Sequence, residues 1–220
     1  MVAPAPDDIA PPRFIYITGC DGTGKTTQTS LLVGQLRSRG IKTSLVWLRF
    51  PFFFSVPLLA YARLRGYSWR ETTNGVRHGY WDFRRSWVLR RVFPWLLLLD
   101  AALAGVWQIY LPLWLGYTVV CERYALDMLV DLSVACGDQS LHRRLPGKGF
   151  LLLLPPRRRM VILDLDASTI KSRRQDLEWD HILEERLAQY RLLSADLSIP
   201  LLSNRPEIPL VHQQIWKLAA

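Results

Sequence analysis

Short apolar runs alternate along the chain with segments whose apolar residues recur at helical spacing. Five runs of four to six residues, most bounded by polar residues or glycine, predict buried strands of a parallel sheet. The predicted strands are residues 14–18, 43–48, 117–121, 160–165 and 199–202. The predicted helices are residues 26–40, 57–65, 83–104, 106–115, 180–195 and 208–219. This alternation predicts an α/β fold, a three-layer sandwich with a doubly wound parallel sheet.

Two stretches depart from this regular alternation. Residues 52–91 mix aromatic side chains with arginines and glycines, and a mobile loop is predicted between the helices at 57–65 and 83–104. Residues 92–120 are apolar over a length that could cross a bilayer. Asp100 and two prolines interrupt that stretch, so a buried helix followed by a core strand is the better interpretation.

The composition predicts where the protein is located in the cell and that its partners are anionic. The chain of 220 residues carries 28 Lys and Arg against 19 Asp and Glu, a net charge of +9. Such a charge suits nucleotides, nucleic acid or an acidic membrane surface. No recognised nucleic-acid motif is present, so nucleic acid is not predicted as a partner. Three scattered cysteines and an N-terminal lead without an apolar core, residues 1–12, predict a cytoplasmic protein.

One motif carries specific chemistry. Residues 19–26 read Gly-Cys-Asp-Gly-Thr-Gly-Lys-Thr, the pattern of a phosphate-binding loop between a strand and a helix. Glycines let backbone N–H groups turn towards phosphates, and the helix amino end adds positive potential. Lys25 is expected to reach the β- and γ-phosphates, and the Thr26 hydroxyl to hold Mg²⁺. The motif predicts binding of ATP or a close relative.

A second candidate group follows the third predicted strand. Glu122 and Arg123 stand at its carboxyl end, where ligands bind in open α/β sheets. Glu122 could hold magnesium or accept a proton, and Arg123 could clamp a phosphate; the alternative is a solvated ion pair. For Asp127 and Asp131, four residues apart, a substrate or magnesium role and a plain helix charge are left equally open.

These motifs together resemble the thymidylate kinase family of nucleoside monophosphate kinases, as a divergent member. The resemblance rests on Asp21-Gly22-Thr23-Gly24-Lys25-Thr26-Thr27-Gln28, Arg49-Phe50-Pro51 and Glu122-Arg123-Tyr124. It covers about residues 13–219 and implies a P-loop NTPase fold. It also implies one kinase domain over 13–220, with an acceptor region near 52–95 and a lid near 171–180. The implied reaction is Mg·ATP-dependent transfer of a γ-phosphoryl group to a nucleoside monophosphate.

The resemblance implies a role for each candidate residue. The implied catalytic residues are Lys25, Glu122, Arg123, Arg173 and Arg174. The implied ATP-binding residues are Gly19, Asp21, Gly22, Thr23, Gly24, Lys25, Thr26, Thr27 and Asn204. The implied acceptor-binding residues are Arg49, Phe50, Asp100, Arg123 and Tyr124, and the implied magnesium ligands are Thr26 and Glu122.

Three departures from the family pattern keep the acceptor open. Asp100-Ala101 stands where the family has Asp-Arg or Asn-Arg, Glu122 replaces an aspartate, and Phe52-Phe53-Phe54 begins an unusually aromatic acceptor region. One alternative is a kinase for a lipid-linked or glycan-pathway acceptor at a membrane surface. Another is a nucleotide-binding module without catalysis. A homodimer and peripheral membrane contact through the Trp/Phe/Arg-rich region are also left open.

Overall fold

A five-stranded parallel sheet forms the centre of the molecule. The computed structural model describes residues 13–73, 76–205 and 207–219, so the predicted lead at 1–12 lies outside the described residues. The strands are β1 Phe14–Gly19, β2 Thr43–Trp47, β5 Thr118–Glu122, β6 Arg158–Asp164 and β7 Leu201–Ser203. Their order across the sheet is β2-β5-β1-β6-β7. The five predicted strands and the α/β class are confirmed.

Helices connect these strands and follow the last one. They are α1 Lys25–Ser38, α2 Val56–Leu64, α3 Trp87–Gly105, α4 Leu111–Trp114, α5 Ala125–Cys136, α6 Leu145–Leu152, α7 Ala167–Arg173, α8 Leu183–Leu197 and α9 Ile208–Ala219. A π-helical turn, Val106–Tyr110, joins α3 to α4, and short 3₁₀ turns lie at 141–143 and 175–177. Every predicted helix has a counterpart, whereas α6 and α7 were not predicted, and α5 was expected only from the spacing of Asp127 and Asp131.

The direction of each crossover decides which face of the sheet a helix covers. The connection from β1 to β2 runs one way along the sheet, and every later connection between sheet strands runs the other way. Because crossovers are right-handed, α1 lies on the opposite face from the helices of the later crossovers, and α9, which follows the last strand, returns to the face of α1. Strand residues alternate accordingly: Phe14 and Tyr16 pack with α3, α5 and α8, whereas Ile15 and Ile17 pack with α1 and α9. The sheet is therefore covered on both faces.

The adjacent strands β1 and β5 bring the two candidate motifs together. Ile17 of β1 lies beside Glu122 of β5 in the parallel register. The chain leaves β1 towards one edge of the sheet and leaves β5 towards the other, which opens a crevice at their carboxyl ends. The phosphate-loop motif and Glu122-Arg123 both lie at this crevice.

The region between α2 and α3 differs from the prediction. In place of a mobile loop, β3 Ser68–Thr73 and β4 Val76–Trp81 form an antiparallel hairpin in which Thr73 pairs directly with Val76. Aromatic rings hold this hairpin to the domain, since the ring of Trp81 packs 5.4 Å from that of Phe93 on α3. Aromatic and β-branched pairs across strands stabilise such a ribbon.

The apolar stretch that prompted the membrane question is one continuous helical segment, Trp87–Trp114. Within the described part of the chain it is the one helix long and apolar enough to cross a bilayer, on length and composition alone. Leu89, Phe93 and Leu97 on one side of it are fully buried in the core. Its other side is exposed, so the prediction of a buried helix is correct for only one face.

Candidate functional site

The loop between β1 and α1 is held in a fixed shape by its own hydrogen bonds. Gly22 and Gly24 have φ angles of 83° and 85°, which side chains rarely tolerate. The Thr23 hydroxyl donates to the Cys20 carbonyl (2.8 Å), and Lys25 Nζ donates to the same carbonyl (2.7 Å). Asn204 Nδ2 donates to the Thr23 carbonyl (2.6 Å). A strand, a tight turn and the amino end of α1 thus form a rigid concave loop.

This loop lines a cavity of about 480 Å³, here called the loop cavity. Most of the residues predicted for ATP binding and catalysis line it: Asp21, Gly22, Gly24, Lys25, Thr26, Thr27, Glu122, Arg173, Arg174 and Asn204. Gly19, Thr23 and the predicted catalytic residue Arg123 do not line it. A Cβ at Gly19 would lie 2.3 Å from the Leu163 carbonyl oxygen, so glycine is required there for close packing against β6.

Oxygen ligands suited to magnesium meet at the base of the loop cavity. Thr26 Oγ1 lies 2.8 Å from one carboxylate oxygen of Glu122, and Thr29 Oγ1 lies 3.2 Å from the other. A hydroxyl and a carboxylate are the hard oxygen donors that Mg²⁺ prefers, completed in nucleotide sites by phosphates and water. The residues present therefore fit the ion. The described residues contain no cluster of three or more His, Cys, Asp or Glu side chains that could hold a metal.

A chain of alternating charges runs from the loop into the domain. Asp21 pairs with Arg49 (3.1 Å) and with Arg123, and Arg123 pairs in turn with Asp127 (2.9 Å). On the other side, Arg49 pairs with Asp131 (3.0 Å). The ion-pair chain then continues to α8, and its further members are Arg186, whose Nε lies 3.0 Å from an Asp131 carboxylate oxygen, and Asp180, which lies 3.2 Å from Arg186. Every cation in the chain contacts two carboxylates.

The buried end of this ion-pair chain is Asp127. Besides Arg123, its carboxylate accepts hydrogen bonds from the hydroxyls of Tyr16 and Tyr190, both at 2.6 Å. Burial alone would raise the pKa of the Asp127 carboxyl, but Arg123 and the two hydroxyls outweigh burial and lower that pKa. Burial and the Asp127 charge raise the pKa of Tyr190 well above its ordinary value. Asp127 is therefore an ionised carboxylate that fixes the position of Arg123.

Lys25, the first residue of α1 after the loop, is nearly fully buried. Burial, together with the nearby positive charge of Arg123, lowers the pKa of its ammonium group to about 8. The negative charge of Asp21 acts in the opposite direction and only partly offsets these two effects. A negatively charged ligand beside Lys25 would therefore stabilise its protonated, cationic form.

A second cavity of about 340 Å³, here called the arginine cavity, opens on the other side of Asp21. Its polar lining includes Asp21, Arg49, Arg63, Arg70, Asp131, Asp180 and Arg186, and its aromatic lining includes Phe50, Trp69, Tyr80 and Trp81. The rings of Phe50 and Trp81 lie 4.9 Å apart, and the Arg49 guanidinium lies 4.9 Å from the Phe50 ring centre. This cavity combines cations with flat apolar surfaces.

Three residues predicted to bind the acceptor do not line the arginine cavity: Arg123, whose ion pairs are described above, and the buried residues Asp100 and Tyr124. The buried Asp100 carboxylate accepts four hydrogen bonds from the loop before α2: from the N–H groups of Phe53, Phe54 and Ser55, and from the Ser55 hydroxyl. Tyr124 is fully buried, and its ring packs against α3 so closely that a Cβ at Gly105 would lie 2.1 Å from its hydroxyl. Both have structural partners in place of the predicted contacts.

The predicted lid arginines lie on the outer side of the loop cavity. Arg173, the last residue of α7, donates to the Asn204 carbonyl (3.3 Å). Arg174 pairs with Asp176 in the following 3₁₀ turn (2.6 Å). Both side chains line the loop cavity, Arg173 from the end of α7 and Arg174 from the residue that follows it.

Two residues of the site have left-handed backbone without being glycine. Phe50 has a φ of 58° and Arg123 a φ of 75°. Such conformations cost roughly 1 kcal/mol or more and persist where surrounding contacts impose them. The Arg123 carbonyl accepts a hydrogen bond from the Leu48 N–H (3.1 Å), which ties the ends of β5 and β2 together. Strained residues of this kind concentrate at functional sites.

Sequence reasoning missed Arg186 and Asp180 and left the roles of Asp127 and Asp131 undecided. Arg186 lies one helical turn before Tyr190 on α8, so both side chains project from the same side of that helix. That spacing is the feature of the sequence from which the position of Arg186 could have been predicted. Asp180 precedes α8 and had no comparable signal.

Comparison with known proteins adds no family to this geometry. The chain matches no protein-family model, and no curated protein sequence matches it. The relationship to thymidylate kinases therefore stays a prediction that rests on the motifs and on their arrangement.

Proposed function

We propose that this chain has a P-loop NTPase fold and is a Mg·ATP-dependent phosphotransferase of the thymidylate kinase type. The acceptor in this proposal carries a phosphate, and a nucleoside monophosphate such as thymidylate is the leading candidate. One observation carries the proposal: the loop cavity and the arginine cavity meet at Asp21, which lines both. A phosphoryl donor and an anionic acceptor can bind there end to end.

On the donor side, the loop supports binding of a triphosphate. Backbone N–H groups of the loop, the amino end of α1 and Lys25 provide positive potential around the β- and γ-phosphates. Magnesium, held by Thr26 and Glu122, supplies charge neutralisation at the phosphate oxygens when it is bound. Arg173 and Arg174 also line the loop cavity and stabilise charge on the transferring group.

On the acceptor side, arginines orient the attacking group. An acceptor phosphate oxygen attacks the γ-phosphorus of ATP, the bond from that phosphorus to the β–γ bridging oxygen breaks, and ADP leaves. Arg49 and Arg186 point into the cavity from fixed ion pairs, and the rings of Phe50 and Trp81 offer a surface on which a base can stack. Because phosphoryl transfer depends mainly on position and electrostatics, this arrangement suits it.

A second candidate is a kinase that acts on a lipid-linked or glycan-pathway acceptor. It is favoured by the aromatic lining of the arginine cavity, where Trp69 stands beside Trp81 and Tyr80, and by Phe53 and Phe54, which continue from it to the surface. Such a lining suits an acceptor with a large apolar part. The acceptor in both candidates carries an anionic group that Arg49 can bind.

The test is a phosphoryl-acceptor screen with ATP and Mg²⁺ that covers thymidylate, other monophosphates, sugars and polyprenyl lipids. Lys25→Ala is expected to lower turnover of the active acceptor more than about a hundredfold, with an unchanged thermal unfolding temperature. Lys42→Ala, which removes an exposed lysine before β2, is the matched control and is expected to keep full activity.

The outcomes separate the candidates. Product from a nucleoside monophosphate supports the first, and product from a polyprenyl lipid alone supports the second. Full activity in folded Lys25→Ala protein contradicts both. ATP binding without transfer to any acceptor in the screen indicates a nucleotide-binding module.

A further inference from the structure

The helix α3 presents an apolar stripe to solvent on the side away from the core. Six residues at spacings of three and four form this stripe, and between 38% and 53% of each side chain is exposed. They are Val88, Val92, Trp95, Leu99, Leu103 and Val106. A surface helix of a globular protein normally carries charged and polar residues on that side. The stripe is therefore a surface that something apolar covers.

The stripe is part of a wider surface, here called the apolar face. Trp107 in the π-helical turn and Trp114 at the end of α4 are 69% and 71% exposed. The helix α6 packs beside α3, with Gly149 against Leu98, and its exposed Leu152 extends the face on one side. The apolar face comprises the six stripe residues with Phe53, Phe54, Trp107, Trp114, Leu145 and Leu152. Contiguous apolar surface of this kind marks an interaction site.

The chain segments that carry most of the apolar face are almost free of acidic residues. Between residues 84 and 121 the one acidic residue is Asp100, which is buried, and residues 139–163 contain none. A cavity of about 310 Å³ at the amino end of α3 is lined by Arg90, Arg91 and Arg144 together with Trp95 and Leu145. Its acidic residue, Asp138, is already paired with Arg144. A partner for this face is thus apolar with negative groups.

Two other occupants fit the face less well. A membrane-spanning helix would have to leave the domain, because Leu89, Phe93 and Asp100 on its other side are buried in the fold. In a symmetric dimer each copy presents the same patch to its partner, so Arg90 and Arg91 would meet no carboxylate from the second copy. An anionic lipid bilayer supplies both the apolar layer and the negative groups.

We propose that the apolar face docks on the surface of an anionic lipid bilayer, with α3 parallel to the membrane plane. The exposed tryptophans lie at the headgroup level, where their amphipathic rings are favoured. Arg90, Arg91 and Arg144 bind lipid phosphates in the 310 Å³ cavity. This inference concerns where the protein works and does not depend on phosphoryl transfer.

The test is co-sedimentation of the full chain with vesicles of phosphatidylcholine alone or mixed with phosphatidylglycerol, without nucleotide. Binding to the mixed vesicles is expected and weakens with added salt. The double variant Trp107→Ser/Trp114→Ser is expected to bind at least about tenfold more weakly. Arg90→Gln/Arg91→Gln is expected to lose about tenfold or more on mixed vesicles alone. Circular dichroism verifies that each variant is folded.

Trp47→Ser is the matched control, because Trp47 is 57% exposed, while Val46 in β2 and Leu48 just after it belong to the core on the α3 side. By strand alternation Trp47 points to the opposite side of the sheet, so this variant is expected to bind like the original chain. Lys25→Ala is expected to bind vesicles unchanged, which separates failure of this inference from failure of the kinase proposal.

Three results would overturn the inference. The first is absence of the original chain from the vesicle pellet at low salt. The second is equal loss of binding in Trp47→Ser and in the Trp107/Trp114 variant. The third is a solution dimer, detected by sedimentation velocity, that the Trp107/Trp114 variant dissociates while vesicles bind neither protein.

Discussion

Asp21 is the side chain on which the two halves of the site depend. Its carboxylate pairs with Arg49 on one side and Arg123 on the other. Burial would raise the pKa of Asp21, but these arginines and Lys25 lower it well below its ordinary range, so Asp21 is ionised at neutral pH. The guanidinium groups are consequently held in place before a substrate arrives, which is the preorganisation that charge stabilisation requires.

Under the proposed function, the pKa of Lys25, lowered to about 8, makes ATP binding depend on pH. The phosphates bind the protonated form, so affinity is expected to fall as pH rises through about 8, by up to about tenfold per pH unit. Isothermal titration calorimetry in two buffers of different ionisation enthalpy measures both the affinity and the proton taken up. In Lys25→Arg, whose guanidinium stays charged, the dependence is expected to vanish. The same slope in both proteins would contradict this assignment.

At the scale of elements, Asp100 joins the loop before α2 to the helix α3. Its carboxylate satisfies three backbone N–H groups and one hydroxyl, and it is buried. Asp100→Ala is expected to lower the free energy of unfolding by about 3 kcal/mol, because those donors lose their partner. Urea denaturation measures the change.

The control for Asp100 is Glu185→Ala, which removes a surface ion pair with Arg84 in which both side chains are about half exposed. An exposed pair contributes about 0–1 kcal/mol, so a small effect is expected there. Similar losses in the two variants would show that the loop is not held by Asp100.

The elements differ in how far the sequence predicts them. The sheet strands are apolar runs buried on both faces, and that local pattern is sufficient to find them. The hairpin of β3 and β4 is polar and arginine-rich and was not predicted, although Asn74-Gly75 between the strands is a dipeptide typical of two-residue hairpin turns. The helix α6 holds two glycines within eight residues, so its propensity is weak and packing against α3 must support it.

The site divides in the same way. The loop of residues 19–26 is a contiguous motif, so its residues and the cavity that they line could be predicted from the sequence. The chain from Asp21 through Arg49 to Asp131 and Arg186 joins four separate segments, and no local pattern records that they meet. The position of Asp100 in the motif predicts an acceptor contact, but its carboxylate instead accepts hydrogen bonds from the loop before α2. Such contacts arise only from tertiary packing.

At the scale of the whole molecule, the loop of residues 50–55 connects the two surfaces discussed above. Phe50 lines the arginine cavity, whereas Phe53 and Phe54 are exposed on the apolar face. Five residues therefore span the distance between the proposed acceptor site and the proposed membrane surface. An acceptor with a lipid part could reach the cavity along this loop without leaving the bilayer.

The four hydrogen bonds to Asp100 make the loop of residues 50–55 rigid enough to couple the apolar face to the arginine cavity. Binding to a membrane is therefore expected to raise the rate of phosphoryl transfer, which is interfacial activation. When the apolar face is bound to lipid, Phe53 and Phe54 are immobilised. Phe50, in the same loop, then becomes less mobile at the arginine cavity that it lines. ADP formation with a soluble acceptor is then expected to rise several-fold when anionic vesicles are added. In Asp100→Ala, vesicle binding persists while the stimulation is lost; equal stimulation in both proteins would refute the link. The rate of phosphoryl transfer would thus depend on whether the protein is bound to a membrane, through the rigidity of the loop of residues 50–55.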